Sequence, residues 1–295
     1  MTTWLGGKIL EDREARIAAT DHGLLYGDGV FEGIRAQGGR VVDLDLHLER
    51  LQRSAGAIYL ELGAWVDRLR GVVLDTLAAH GRPDAYARLV VTRGPGRLGL
   101  DASSGSGPEV FCIVDAIELF PPETLTQGIR MVTGTWRRPG PDVLDPRVKS
   151  LNYLNNVLNK HEAKLRGGDD ALVLNTRGTV AEASAANVFV RRGQELWTPP
   201  GTDGALEGLT RRRVMLLAPE LELRPSERIL SRYDLLDADE VFLSGTGAGL
   251  VPVRSLDARP LGARCPQSVV PELRRRMAEY AVRHGVAIPG LRSAA

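Results

Sequence analysis

The segment YGDGVFEGIRAQGGR, residues 26–40, constrains the fold of this chain more than any other stretch. Its glycines at 27, 29 and 33 approximate the Gly-x-Gly-x-x-Gly loop of dinucleotide-binding proteins. Asp43 and Asp45 come roughly where such a loop keeps its ribose-binding carboxylate. That motif needs an apolar strand before it and a helix after it. Here the preceding residues, ATDHGLLYG, are polar and broken by glycine. Downstream runs a period-2 strand, VFEGIRA, turned back at Gln37-Gly38-Gly39 into RVVDL. The third glycine also arrives one residue late. The segment is not a Rossmann loop, and its glycines are expected to allow close backbone approach to a ligand.

The remaining pattern extends this reading. At 295 residues, the length favours about two domains with real cores. Strands are expected near 3–18. A helix begins at about 45, with Leu44, Leu48, Leu51, Ala55 and Ile58 at helical spacing, and a second covers 64–80, ended by Gly81-Arg82-Pro83. The strands AYARLVVTR and EVFCIVDAIEL flank a glycine-rich loop. Breaker clusters at 120–122 and 138–141 bracket GIRMVTGTW, so the domain crossing is placed within 122–136, between domains at 1–121 and 137–295. Beyond it come a helix at about 151–166, the strands ALVLN, TVAEA, NVFVRR and ELWTP, a helix from near Thr210, the strand EVFLSG leading into Thr246, and a last helix at about 268–284. Strands and helices mix without strict βαβ alternation, which predicts a mixed α/β (α+β) fold.

A formal net charge of +1 argues against nucleic-acid binding by bulk charge. Arginine clusters at 211–213 and 274–276 lie beside acidic residues in helical stretches and read as solvated helix faces. Cys112 and Cys265, the only cysteines, are far apart and form neither a disulfide framework nor a metal-ligand pattern. The N-terminus has no signal-like region, and no apolar run is long enough to span a membrane, so a cytoplasmic location is expected.

The only lysines are at 8, 149, 160 and 164, and every other strong base is arginine. In such a chain a lysine at an element boundary draws notice, because an amine can act as a nucleophile and a guanidinium cannot be deprotonated. Lys149, in PRVKSLNYLNNVL, comes after a breaker-rich stretch and is expected just before a helix. Glu182 stands among alanines in GTVAEASAANVFV, where a carboxylate needs either solvent or a dedicated partner. Gly208, Leu209 and Thr210 begin a helix whose first N–H groups favour an anion. Residues 244–247 form a glycine-rich turn whose amides can cradle a phosphate or carboxylate. Arg50 lies one turn into its helix. Taken singly, each has an ordinary reading as a surface side chain, a cap or a turn.

In order and spacing, YGDGVFEGIR, HLERL, YARLVVTRG, KSLNYLNN, GTVAEASAANVFV, LEGLTR and SGTGAGLVPV resemble the class IV aminotransferases, the fold-type IV enzymes that use pyridoxal 5′-phosphate. The resemblance runs from about residue 4 to 260. GVFEGIR and KSLNYLNN are most similar to branched-chain amino acid transaminases. It implies a smaller N-terminal α/β domain and a larger C-terminal pseudo-barrel domain. It also implies that Lys149 holds the cofactor as a Schiff base and shuttles a proton, while Glu182 pairs with the pyridine nitrogen. Arg50, Thr210 and Thr246, with amides near Leu209 and Gly245, would bind the phosphate. Tyr153 would meet the ring hydroxyl oxygen, and Asn187 belongs to the same cofactor-binding set.

The resemblance further implies a substrate side of Tyr26, Phe31, Gly33, Arg35, Arg88, Leu98, Leu100 and Trp136. Phe31, the two leucines and Trp136 would line an apolar pocket, and amides near Thr246 and Gly247 would take the α-carboxylate. Arg88 and Tyr26 would meet the distal carboxylate of 2-oxoglutarate or glutamate. No metal is expected, and the loop carrying Leu98 and Leu100 implies a homodimer at least. The chain departs from the family pattern at Gly247 and Gly249, where alanine and an acidic residue are commoner. Arg35 and Arg88 also suit a D-amino acid transaminase. An aminodeoxychorismate lyase of the same fold stays open, as does a nucleotide-dependent oxidoreductase.

Overall fold

The computed structural model describes residues 1–11, 13–117, 119–262 and 268–291, so Cys265 lies outside the described residues. The chain forms two compact units: Met1–Ile117 with Val148–Asn152 and Tyr280–Ala295, and Glu118–Arg147 with Tyr153–Glu279. The short segment at 148–152 thus belongs with the N-terminal residues.

The first unit is built on a seven-stranded sheet. Its order is Val286–Ala287, Arg40–Val41, Gly29–Gln37, Ala85–Thr92, Glu109–Asp115, Thr2–Leu5 and Lys8–Glu11, with each pair antiparallel. Strand alternation sends Val30, Ile34 and Ala36 to one face, where they pack with Val91, Ala87 and Leu89. The helices Leu44–Ala57 and Trp65–His80 cover that face through Leu44, Leu48, Leu51, Leu69, Val73 and Leu77. Both helices lie close to their expected bounds, and Gly81 ends the second in the left-handed region at φ 74°. The opposite face of the same strands carries Phe31, Gly33 and Arg35 opposite Val90, Arg88 and Tyr86.

A short helix, His22–Tyr26, precedes this hairpin where the sequence shows only a polar, glycine-broken stretch. Asp21 makes it possible by accepting from the Gly23 and Leu24 amides. The strand region expected over 3–18 is two four-residue strands, Thr2–Leu5 and Lys8–Glu11.

The second unit holds a nine-stranded sheet. Eight strands run Arg224–Glu227, Glu195–Thr198, Asn187–Arg192, Glu240–Gly245, Gly249–Leu256, Ile129–Thr133, Asp170–Leu174 and Val180–Ala183, and Arg259–Pro260 pairs with Gly249–Leu256. The last of the eight is joined to the third by the three-residue turn 184–186, closed by Ala183 N–H donating to Ala186 O at 2.8 Å. This connection curls the sheet toward itself, as a pseudo-barrel requires. Ile129, Leu172, Val188, Leu243 and Val251 fill its core.

Two local expectations change. The helix expected from 151 begins at Leu154, because residues 149–151 run extended beside Gly29–Gln37: Val30 bridges Ser150, and Leu151 N–H donates to Gly29 O. The 211–213 cluster is not wholly a solvated face. Arg211 is buried, and its guanidinium donates to Thr198, to the Pro199 carbonyl and to Glu227.

Candidate active site

In the first unit, Lys149 is held through its backbone on both sides. Its N–H donates to Ser54 Oγ at 3.1 Å, and its carbonyl accepts from Phe31 N–H at 3.0 Å. Its amine lies 4.2 Å from the centroid of the buried Phe31 ring. The Arg88 guanidinium lies 3.9 Å from the same centroid. An aromatic face favours both cations, so Phe31 fixes where each can stand.

Gly33 lies next on that face, and its lack of a side chain leaves room for Tyr86. A Cβ there would come within 1.8 Å of the Tyr86 hydroxyl. Tyr86, absent from the sequence expectations, is therefore part of the face that carries Phe31, Arg35 and Arg88. Its signal was available, since Tyr86 and Arg88 share a strand phase in AYARLV.

Arg50 is buried, and its Nε and Nη2 donate to the two Glu32 oxygens at 2.7 and 2.8 Å. His47 Nδ1 lies 2.7 Å from Glu32 Oε2. Burial alone would raise the Glu32 pKa, but Arg50 and His47 outweigh it and hold the carboxyl down at about 2. Burial lowers the His47 pKa, partly opposed by Glu32, and Nδ1 donates to the carboxylate oxygen.

Tyr26 is tied to the glycine-rich loop. Its hydroxyl accepts from Gly99 N–H at 3.0 Å, and its ring meets His22 edge-on at 5.0 Å. His22 Nε2 in turn lies 2.9 Å from Arg97 O. Leu98 and Leu100 are 81% and 86% exposed, so within this chain they do not join Phe31 in a closed apolar wall.

In the second unit, Glu182 is buried in a strand and accepts from Arg138 Nη2 at 2.7 Å, Asn187 Nδ2 at 3.1 Å and Leu206 N–H at 3.0 Å. Arg138 also donates to Asn156, whose amide donates to Ser184 O. Sequence reasoning missed Arg138, which lies in a breaker cluster with nothing to mark its burial. Asn187 joins Glu182 to the Leu206 carbonyl, and its Oδ1 fills the space a Cβ at Gly208 would enter, at 2.1 Å. Gly208 is the N-cap of the helix Leu209–Leu217 and supplies no side-chain cap, while Leu209 and Thr210 are buried at its first turn. The first amides of such a helix are suited to an anion.

Gly245, Thr246 and Gly247 occupy the turn between Glu240–Gly245 and Gly249–Leu256. Tyr153, the N-cap of Leu154–Leu165, lines a cavity of about 460 Å³ with Phe120, Asn156, Lys160, Ser184 and Ala248. Trp136 is half exposed, and its carbonyl accepts from Asn159. Among the described residues, no group of acidic, histidine or cysteine side chains could hold a metal ion.

The family model for amino-transferase class IV matches residues 29–256. The chain belongs to the class IV aminotransferases. A Methanocaldococcus jannaschii protein provisionally named a branched-chain-amino-acid aminotransferase is 41% identical over 288 residues, covering 98% of this chain and 99% of that one. The structure of the Thermoproteus uzoniensis branched-chain aminotransferase with norvaline is similar with a TM-score of 0.89 at 32% identity, covering 98% of this chain and 99% of that one. That of the Thermobaculum terrenum branched-chain amino acid aminotransferase in its PLP-form has a TM-score of 0.84 at 29% identity, covering 96% and 94%.

The donor chemistry of this class IV aminotransferase fits the cofactor its family implies. It has an amine at Lys149, a buried carboxylate at Glu182 with its own guanidinium, and a glycine-capped helix start for a phosphate.

Proposed function

We propose that this class IV aminotransferase moves the amino group between a branched-chain L-amino acid and 2-oxoglutarate, with pyridoxal 5′-phosphate attached through Lys149. The observation that carries the reading is the fixing of Lys149: both backbone hydrogen-bonding groups are engaged, and its amine is set on the Phe31 ring. Bound there, the cofactor supplies an electron sink that stabilises negative charge at the substrate α-carbon. The Lys149 amine moves the proton at that carbon. Glu182 holds the proton on the ring nitrogen, with Arg138 as its own counter-charge.

Arg50, Thr210, Thr246 and the amides of Leu209 and Gly245 bind the phosphate, and Tyr153 hydrogen-bonds the ring hydroxyl oxygen. Asn187 acts by holding Glu182 and the 206–208 loop together. On the substrate side, amides of Thr246 and Gly247 take the α-carboxylate. Phe31, Leu98, Leu100 and Trp136 contact the alkyl group, and Gly33, Arg35, Arg88 and Tyr26 shape the place where a distal carboxylate sits. The exposure of Leu98 and Leu100 supports a homodimer in which these residues serve the partner's substrate. We place the enzyme in the cytoplasm; none of the described helices is long and apolar enough to cross a membrane.

The test is a visible absorption spectrum of the purified protein with L-leucine and, separately, with D-alanine. Conversion of the cofactor band by L-leucine alone is expected. Conversion by D-alanine alone would leave the cofactor assignment standing and move the substrate class. No band after incubation with pyridoxal phosphate would remove the cofactor assignment.

A further inference from the structure

Glu32 is 0% exposed, His47 1% and Arg50 5%, and the three form one hydrogen-bonded group between the strand Gly29–Gln37 and the helix Leu44–Ala57. Glu32 stands in the core phase of its strand, between Val30 and Ile34, where an apolar residue would pack with no electrostatic cost. Its neighbour Phe31 holds the Lys149 carbonyl through its backbone, so consecutive residues of one strand hold Lys149 and Arg50. Arg50 also lies one helical turn before Ser54, which accepts the Lys149 N–H. We infer that Glu32 and His47 are positioning residues that fix the Arg50 guanidinium for an anionic phosphate. This deepens the proposed function and rests on its cofactor reading.

The physical case turns on two opposed effects. Glu32 cancels the formal charge of Arg50, so Coulomb attraction alone makes it unfavourable for binding a phosphate. Against this, an arginine side chain is rich in rotamers, and fixing it costs conformational freedom. A bidentate carboxylate locks the Nε–Nη2 edge before any ligand arrives, and His47, donating to Glu32 Oε2, fixes that carboxylate in turn. Pre-organisation of this kind raises affinity by removing the ordering cost from the binding step. The sign of the change on neutralising Glu32 therefore separates the two effects.

The experiment measures the affinity of the apoenzyme for pyridoxal phosphate and for inorganic phosphate, with thermal melting as the check on folding. Glu32→Gln is expected to weaken both affinities by about tenfold or more, and to have no further effect in an Arg50→Ala background. Unchanged or tighter binding by a folded Glu32→Gln protein, or an equal loss in the Arg50→Ala background, would overturn the inference. Should Glu32→Gln fail to fold, His47→Asn, which keeps a donor, is expected to bind near the wild-type level, and His47→Leu more weakly. Equal affinities for that pair would overturn it. A wild-type chain that takes up no pyridoxal phosphate would remove the cofactor reading itself, whereas wild-type uptake with an unaffected Glu32→Gln protein removes this inference alone.

Discussion

Lys149 and Phe31 are joined twice: Phe31 N–H donates to the Lys149 carbonyl at 3.0 Å, and the lysine amine stands 4.2 Å from the Phe31 ring centroid. The backbone bond places the residue, and the ring contact places its amine. Removing the amine leaves the backbone bond in place, so Lys149→Ala should retain a cooperative melt while turnover falls by more than about a thousandfold, within the range expected for a lost acid–base group. Phe31→Leu keeps the backbone bond and removes the aromatic face. Its turnover should fall about fivefold, consistent with roughly 1 kcal/mol for a partly buried cation–π contact. Rate assays with matched melting curves check both, and near-normal turnover in Lys149→Ala would remove the residue from its role.

The Gly33–Tyr86 contact gives a second prediction. An alanine at 33 puts a methyl group 1.8 Å from the Tyr86 hydroxyl, so the ring must move. Overpacking of this kind costs about 1–3 kcal/mol. Because the contact lies on the face shared with Arg88, Gly33→Ala should raise KM for both substrates while the protein remains folded. An unchanged KM would mean that Tyr86 does not help to shape the substrate side.

Arg138 and Arg147 offer a controlled comparison within one unit. Arg138 pairs with Glu182 with both side chains nearly buried, whereas the Arg147–Asp145 pair is partly exposed. Removing one partner of a buried pair leaves an uncompensated charge and costs about 3–5 kcal/mol, while an exposed pair contributes about 0–1 kcal/mol. Arg138→Met should therefore lower the stability far more than Arg147→Met in a denaturant titration. Equal losses would show that Glu182 is sufficiently held by Asn187 and the Leu206 amide.

Much of this was legible in the chain because local signals agreed. Leu44, Leu48, Leu51 and Ala55 specify the inner stripe of their helix, and the rejection of a dinucleotide loop rests on the same period-2 hairpin found in the first sheet. The burial of Glu32 was also readable, since Val30, Ile34 and Ala36 share its phase. Its partners were not, because pairing a strand residue with His47 and Arg50 depends on how the helix crosses the sheet. Likewise nothing local marks Arg138, whose burial depends on strands far along the chain. The His22–Tyr26 helix is held by Asp21 and ends at Gly27, too short for periodicity to reveal.

The same buried group contributes to the acid behaviour of the first unit. The folded-state pKa of Glu32 is about 2, below its ordinary value of 4.5, so between those values the unfolded chain binds more protons than the folded one. Its contribution is therefore fully present above about pH 4.5 and is lost as the pH falls toward 2. His47 acts in the same direction from a higher starting point. Its folded pKa lies below the ordinary 6.5, since burial outweighs the pull of Glu32 and Asp43, and protonation of the unfolded chain begins to cost stability below that value. Melting temperature measured from pH 7 to pH 3 should fall in both windows. His47→Asn should flatten the upper part of the curve and leave the steep drop below pH 4.5. A curve unchanged by His47→Asn would show that His47 has the same pKa in the folded and unfolded chain, and would remove its contribution to the upper window.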